Sequence, residues 1–181
     1  DCGAQTDSPW TAEITEDFTV PYGQTSDKEL KVTVAPGGEA LEGDWCKDGA
    51  ELGDGDVYAL PGDLEIGEYE YVFHAKVSRS VELHVTVTVE PKTVIPVITG
   101  SAAKVYDGTA AYDGAGLSLS LDGVLEADRS GVTASASYAF DSADAGENKT
   151  ITATITELSG DKAERYVLAS NTAAIKGKIE K

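Results

Sequence analysis

The chain has 181 residues, a formal net charge of −18 and two cysteines. That length suits two domains of about 90 residues, each with a modest core of its own. An acidic field of this size repels phosphate backbones and anionic headgroups, which argues against nucleic acid and membrane surfaces as partners; no run of about 18 apolar residues is present for membrane insertion.

The charge is uneven. Residues 1–90 hold 20 acidic and 5 basic side chains, whereas residues 91–181 hold 12 and 9. No charged-then-apolar leader opens the sequence, so it reads as a mature or excised piece. Cys2 and Cys46 make an even count, which fits one disulfide and an oxidising compartment. In a strand, neighbours face opposite sides. With Trp45 in the core, Cys46 points outward, and a bridge to Cys2 would pin the N-terminal segment to the outside of a sheet. A bridge and two thiols both remain open.

Asp1–Trp10 is polar and reads as a lead-in or edge strand. Ala12–Val20 and Glu29–Ala35 alternate as strands, the second with Leu30, Val32 and Val34 on one face. Asp44–Cys46 is a short strand entering a turn at Asp48-Gly49, where a positive φ is wanted. Val57–Leu60 is another short strand, ended by Pro61-Gly62-Asp63. Glu68–Lys76 puts Tyr69, Tyr71, Phe73 and Ala75 inward. Val81–Val89 is apolar at every odd position, the mark of a strand with one buried face. Core must oppose core, so Phe73 is predicted beside Leu83 and Tyr71 beside Val85, through an odd-length loop near Val77-Ser78-Arg79. Glu90-Pro91-Lys92 then breaks the pattern, dividing the chain into domains 1–91 and 92–181. Val94–Thr99, with Pro96 inside it, opens the second domain as an edge strand.

The second half continues with Lys104–Thr109, then Leu117–Leu121 alternating with serine, and a loop over Gly123–Asp128. Val132–Phe140 puts Val132, Ala134, Ala136, Tyr138 and Phe140 on one face. Thr150–Thr156 turns Ile151, Ala153 and Ile155 inward. Tyr166–Ala169 and Ala174–Ile179 complete the set. Short strands with turn residues between them predict an all-β protein of two tandem sandwiches. A short Pro-containing linker and a small polar contact predict an elongated, monomeric pair.

Two resemblances attach to these residues. Trp45 before Lys47-Asp48-Gly49, followed by Leu64–Tyr71, resembles the middle of an immunoglobulin-like sandwich. The resemblance implies that Trp45 is the core tryptophan and Tyr69 the corner tyrosine. Tyr71 stands where the second core cysteine would be, and Val32 or Val34 where the first would be, so apolar contact replaces that disulfide. The second half resembles the bacterial YDG repeat module more closely. Its motifs here are Lys104-Val105-Tyr106-Asp107-Gly108-Thr109; Ala145-Gly146 with Lys149 and Ile151; Leu158 and Gly160 with Arg165-Tyr166-Val167-Leu168; and a close through Ala173 or Ala174, Ile175 and Ile179. What this implies is an immunoglobulin-like β-sandwich in a secreted or cell-surface, multi-domain bacterial protein, serving as a stalk or adhesion segment without catalysis. Within the motif, Asp107-Gly108 is expected to form the turn and Tyr106 to insert its ring at the core edge.

Candidate chemistry is sparse. His74, Glu82 and His84 fall on one outer face and have the residue types for zinc. Asp54 and Asp56, near Asp48 and Glu51, have the oxygens for calcium but not the full loop pattern. Both sets also fit a plain solvated face, and no metal or cofactor is expected. Lys104, Asn148 and Asn171 have the groups of an isopeptide bond, with nothing to show that they meet. No serine-nucleophile elbow or phosphate loop occurs. The leading reading is a structural or adhesion segment whose partners are adjacent domains of the same chain. The rival is a binding module for extracellular glycan or protein through exposed Trp10, Tyr22, Tyr58 or Tyr112.

Overall fold

The computed structural model describes residues 11–35, 37–76 and 81–181. The chain divides into two compact units, Asp1–Glu90 and Pro91–Lys181. Both are all-β.

Unit 1 contains β1 (Thr11–Ile14), β2 (Phe18–Pro21), β3 (Glu29–Ala35), β4 (Glu39–Ala40), β5 (Gly43–Lys47), β6 (Ala50–Asp54), β7 (Val57–Ala59), β8 (Gly67–Ala75) and β9 (Glu82–Glu90). One sheet runs β2-β9-β8-β5-β6; in the other, β3 pairs with β1, β4 and β7. Alternation decides the core: Leu30, Val32, Trp45, Tyr71, Phe73, Val85 and Val87 are all buried, one from every second position of their strands. Phe73 stands opposite Leu83 and Tyr71 opposite Val85. The intervening loop, residues 77–80, lies outside the described residues.

The expected single strand Ala12–Val20 is two strands in two sheets. β1 pairs with β3, and β2 runs parallel to β9. The crossing is fixed by polar groups: the Thr15 N–H donates to the Lys31 carbonyl, and Asp17 Oδ1 accepts the Thr86 N–H at 2.8 Å.

Unit 2 contains β10 (Lys92–Gly100), β11 (Ala102–Val105), β12 (Ala111–Tyr112), β13 (Leu117–Asp122), a 3-10 helix over Glu126–Gly131, β14 (Thr133–Phe140), β15 (Gly146–Ser159), a 3-10 turn over Ala163–Arg165, β16 (Tyr166–Leu168) and β17 (Thr172–Glu180). The sheets run β13-β10-β16 and β11-β17-β15-β14-β12. Ala102, Phe140, Ile151 and Ile179 form the centre of its core. β10 lies between β13 and β16 in the sheet order, flanked by β16 over Lys92–Val94 and an edge from Ile95 onward. Proline is tolerated because β16 pairs only with Lys92–Val94; at Pro96 the strand has one neighbour, β13, and the missing N–H deprives no ladder.

The units share one device. A short early strand runs parallel to the last strand, and the tyrosine that follows it continues the ladder. Tyr22 N–H donates to the Glu90 carbonyl at 2.8 Å, and Tyr106 N–H to the Glu180 carbonyl at 2.8 Å.

Candidate functional site

In unit 1 the aromatic side chains gather around Trp45. Its ring is fully buried, meets Phe73 edge-on at 5.2 Å and lies 6.3 Å from Tyr58, which is 5.7 Å from Tyr71. Trp45 Nε1–H is buried without an acceptor among the described residues. Burial, reinforced by Tyr58 and Tyr69, pushes the Tyr71 hydroxyl up to about 12. The Tyr69 hydroxyl donates to the Glu65 carbonyl at 2.9 Å, four residues upstream. That hydrogen bond is the geometry of a tyrosine corner. Lys47 covers the Tyr69 ring at 5.5 Å while pairing with Asp48. Cys46 faces away from the core opposite Val72 and is half-buried; Cys2 and Trp10 lie outside the described residues.

Four residues stand in line across the outer face of this sheet: Asp54 opposite Asp44, Asp44 opposite His74, and His74 opposite Glu82. Glu82 is 3.4 Å from His74 Nδ1 and 3.8 Å from His84 Nε2, and Glu70 is 2.7 Å from His84 Nδ1. These are pairwise contacts. Among the described residues no three His, Cys, Asp or Glu groups are placed to share a metal ion. Neither His74, Glu82 and His84 nor Asp54 and Asp56 is thus gathered into a coordination sphere.

In unit 2 the sequence motif around Lys104 is a closed polar cradle. The Lys104 side chain is 11% exposed, and its ammonium lies 2.7 Å from Asp107 Oδ1. It also donates to the Thr109 carbonyl at 3.0 Å, the Thr109 hydroxyl at 3.2 Å and the Ala111 carbonyl at 2.9 Å. Asp107 Oδ1 accepts the Thr109 N–H and hydroxyl as well, at 2.9 and 2.8 Å. Lys104 first, and then Thr109, hold the Asp107 carboxyl down at about 2. Gly108 completes the turn at φ +79°.

Tyr106 does not insert into the core edge. It is 54% exposed and its neighbour Val105 66%. The space beneath the turn belongs to the Lys104 stem and ammonium, which satisfy carbonyls that an aromatic ring could not. Those partners also occupy the ammonium that the isopeptide idea assigned to Asn148 or Asn171.

A second polar fixture was not visible in the sequence. The buried Asp128 accepts Arg165 Nη1–H at 2.9 Å and the Tyr166 hydroxyl at 2.6 Å, and the Tyr166 oxygen accepts the Leu125 N–H at 3.1 Å. This ties β16 to the 3-10 helix over 38 residues of separation. Lys149 repeats the theme, meeting Ser142 Oγ at 2.7 Å and Asp141 at 3.1 Å. The Thr150 N–H and then Lys149 hold Asp141 below the usual carboxylate range.

Of the aromatics proposed for binding, the three among the described residues are covered. Tyr22 is 8% exposed, and Tyr58 and Tyr112 are half-buried. Tyr112 donates to the Ala115 carbonyl and meets Phe140 edge-on at 5.5 Å. Among the described residues no helix is long and apolar enough to cross a membrane. What these arrangements do chemically is hold turns and strand ends.

Residues 90–173 match the YDG domain family, a stretch that contains both the Lys104 cradle and the Asp128–Tyr166 pair. No curated protein matches the chain. Three solved structures are similar in part. The fibronectin(III)-like modules of Clostridium thermocellum CbhA are 13% identical with a TM-score of 0.32, covering 94% of this chain and 94% of theirs. Three N-terminal domains of the bacteriophage RB49 Highly Immunogenic Outer Capsid protein are 12% identical with a TM-score of 0.39, over 94% of this chain and 69% of theirs. Domains 6-7 of the surface layer protein SbsC are 15% identical with a TM-score of 0.30, over 95% and 98%.

Proposed function

We propose that this chain is a non-catalytic structural segment, a spacer or stalk repeat of a secreted or cell-surface bacterial protein with further domains beside it. The observation that carries this reading is the parallel pairing of an early strand with the last strand in each unit, β2 with β9 and β11 with β17. Pulling a unit from its two chain ends drives two parallel neighbours in opposite directions along their axes. Their ladder hydrogen bonds are then sheared together instead of being opened one at a time. The similarity of residues 90–173 to the YDG domain and the polar fixtures that close its turns support the same reading. The alternative of a ligand-binding module keeps one exposed aromatic among the described residues, Tyr106 beside Val105.

Single-molecule pulling of the chain from residues 1 and 181 tests it. Two unfolding events are expected for each molecule. Tyr106→Pro removes the N–H given to Glu180 and lowers the force of one event. Tyr106→Ser keeps the N–H and leaves that force unchanged. Equal effects of the two substitutions, or none, would overturn the reading.

A further inference from the structure

Unit 2 is closed on one side and open on the other. The inward residues of β10 and β15 are buried: Val94 and Ile98 on the first, Ile151, Ala153 and Ile155 on the second. Those of β13 and of the first half of β14 are covered only in part, although Phe140 at the far end of β14 is buried. Leu119 and Leu121 lie on one side and Ala134 and Ala136 on the other, and all four are only half-buried, whereas Leu117 packs against the core centred on Phe140 and Ile151. Alanine is too short to reach across the gap between two layers about 10 Å apart. A groove of ≈ 650 Å³ is left, bordered by Leu119, Leu121, Val124, Val132, Ala134 and Arg129.

Its two walls are also unpaired strand edges. β13 ends its sheet, so one side of its backbone has no ladder partner among the described residues. β14 is paired on its β12 side only at Ala139 and Tyr138, which leaves the backbone of residues 133–137 open on that side. The one charge of the groove that suits an acidic ligand is Arg129, which is exposed and makes no ion pair among the described residues. Asp122 borders the groove from the outward face of β13 and does not pair with it. Residues 91–181 carry 12 acidic and 9 basic side chains, so an acidic partner is not repelled here as it would be by residues 1–90.

We propose that this groove receives an extended peptide strand of another protein. Its backbone pairs with an open edge, its alternate apolar side chains enter between the leucines and alanines, and one of its carboxylates meets Arg129. This adds a partner site to the spacer reading and does not depend on it.

The test uses the 181-residue chain and a capped synthetic peptide of alternating valine and threonine with one glutamate. Amide hydrogen exchange by NMR should slow along residues 117–122 or 133–137 on adding peptide. Arg129→Glu should weaken binding about tenfold, and a peptide with lysine for glutamate should recover it. Ala134→Leu should fill the groove and abolish binding; if that variant fails to fold, the charge swap stands alone. Three results would overturn the proposal: no slowing at those amides, binding indifferent to the charge swap, or slowing that appears without peptide as the chain is concentrated. The last would assign the groove to a second copy of the chain.

Discussion

The ammonium of Lys104 lies 2.7 Å from Asp107 Oδ1, and that same oxygen closes the turn by accepting from Thr109 twice. Lys104→Met keeps the stem but leaves the Thr109 and Ala111 carbonyls facing an alkyl chain. It should cost about 1–3 kcal/mol in urea unfolding. Asp107 has a folded value of about 2, below the usual carboxylate range. Its contribution is therefore present above pH ~4 and is lost as pH falls toward 2. Asp107→Asn lacks this term, so stability curves of the two proteins should separate above pH ~4 and converge at acid.

Asp128 is the buried anion of unit 2, held by Arg165 and Tyr166. Asp128→Ala takes the buried carboxylate away from both the Arg165 guanidinium and the Tyr166 hydroxyl and should cost about 3–5 kcal/mol, whereas Tyr166→Phe should cost about 1 kcal/mol. Replacing both charges, Asp128→Leu with Arg165→Met, should recover most of the loss in the same unfolding assay.

Tyr71 sets an alkaline limit. Its hydroxyl titrates at about 12 in the folded protein, against about 10 when unfolded. The unfolded chain thus loses its proton first, and stability falls as pH rises from 10 to 12. Tyr71→Phe should flatten that part of the curve, followed by circular dichroism in urea.

Two motif glycines should respond differently to alanine. At Gly108, φ is +79° but an added Cβ would meet nothing within 4 Å. Gly108→Ala should cost only the backbone strain, about 1–2 kcal/mol. At Gly160, φ is +113° and the Cβ would collide with the Gly131 carbonyl. Gly160→Ala should therefore lower the melting temperature clearly more than Gly108→Ala does.

The strands were legible wherever one face is wet. In residues 81–89 each odd side chain is apolar, and Val85, Val87 and Val89 are buried. The hairpin register followed from refusing to bury His84. Which sheet a strand joins was not legible, because alternation is a property of one strand. The chain's passage from β3 to β9 near Thr15 and Asp17 depends on backbone partners 16 and 69 residues away. The turn at Asp107-Gly108 could be read from local chemistry, but the tenant of its interior could not. A tyrosine and a lysine compete for that space, and unpaired carbonyls decide for the lysine. Asp128 and Arg165 carry no local signal at all, since neither has a reason to be buried until the other is near.

Asp44 and Asp54 stand opposite one another on neighbouring strands, in the half of the chain that holds 20 acidic and 5 basic residues. Like charges so placed push β5 and β6 apart, and dissolved ions mute the push. Brine should therefore firm up the first unit and leave the second almost indifferent. Ionic strength then becomes the dial that sets which of the two modules melts first.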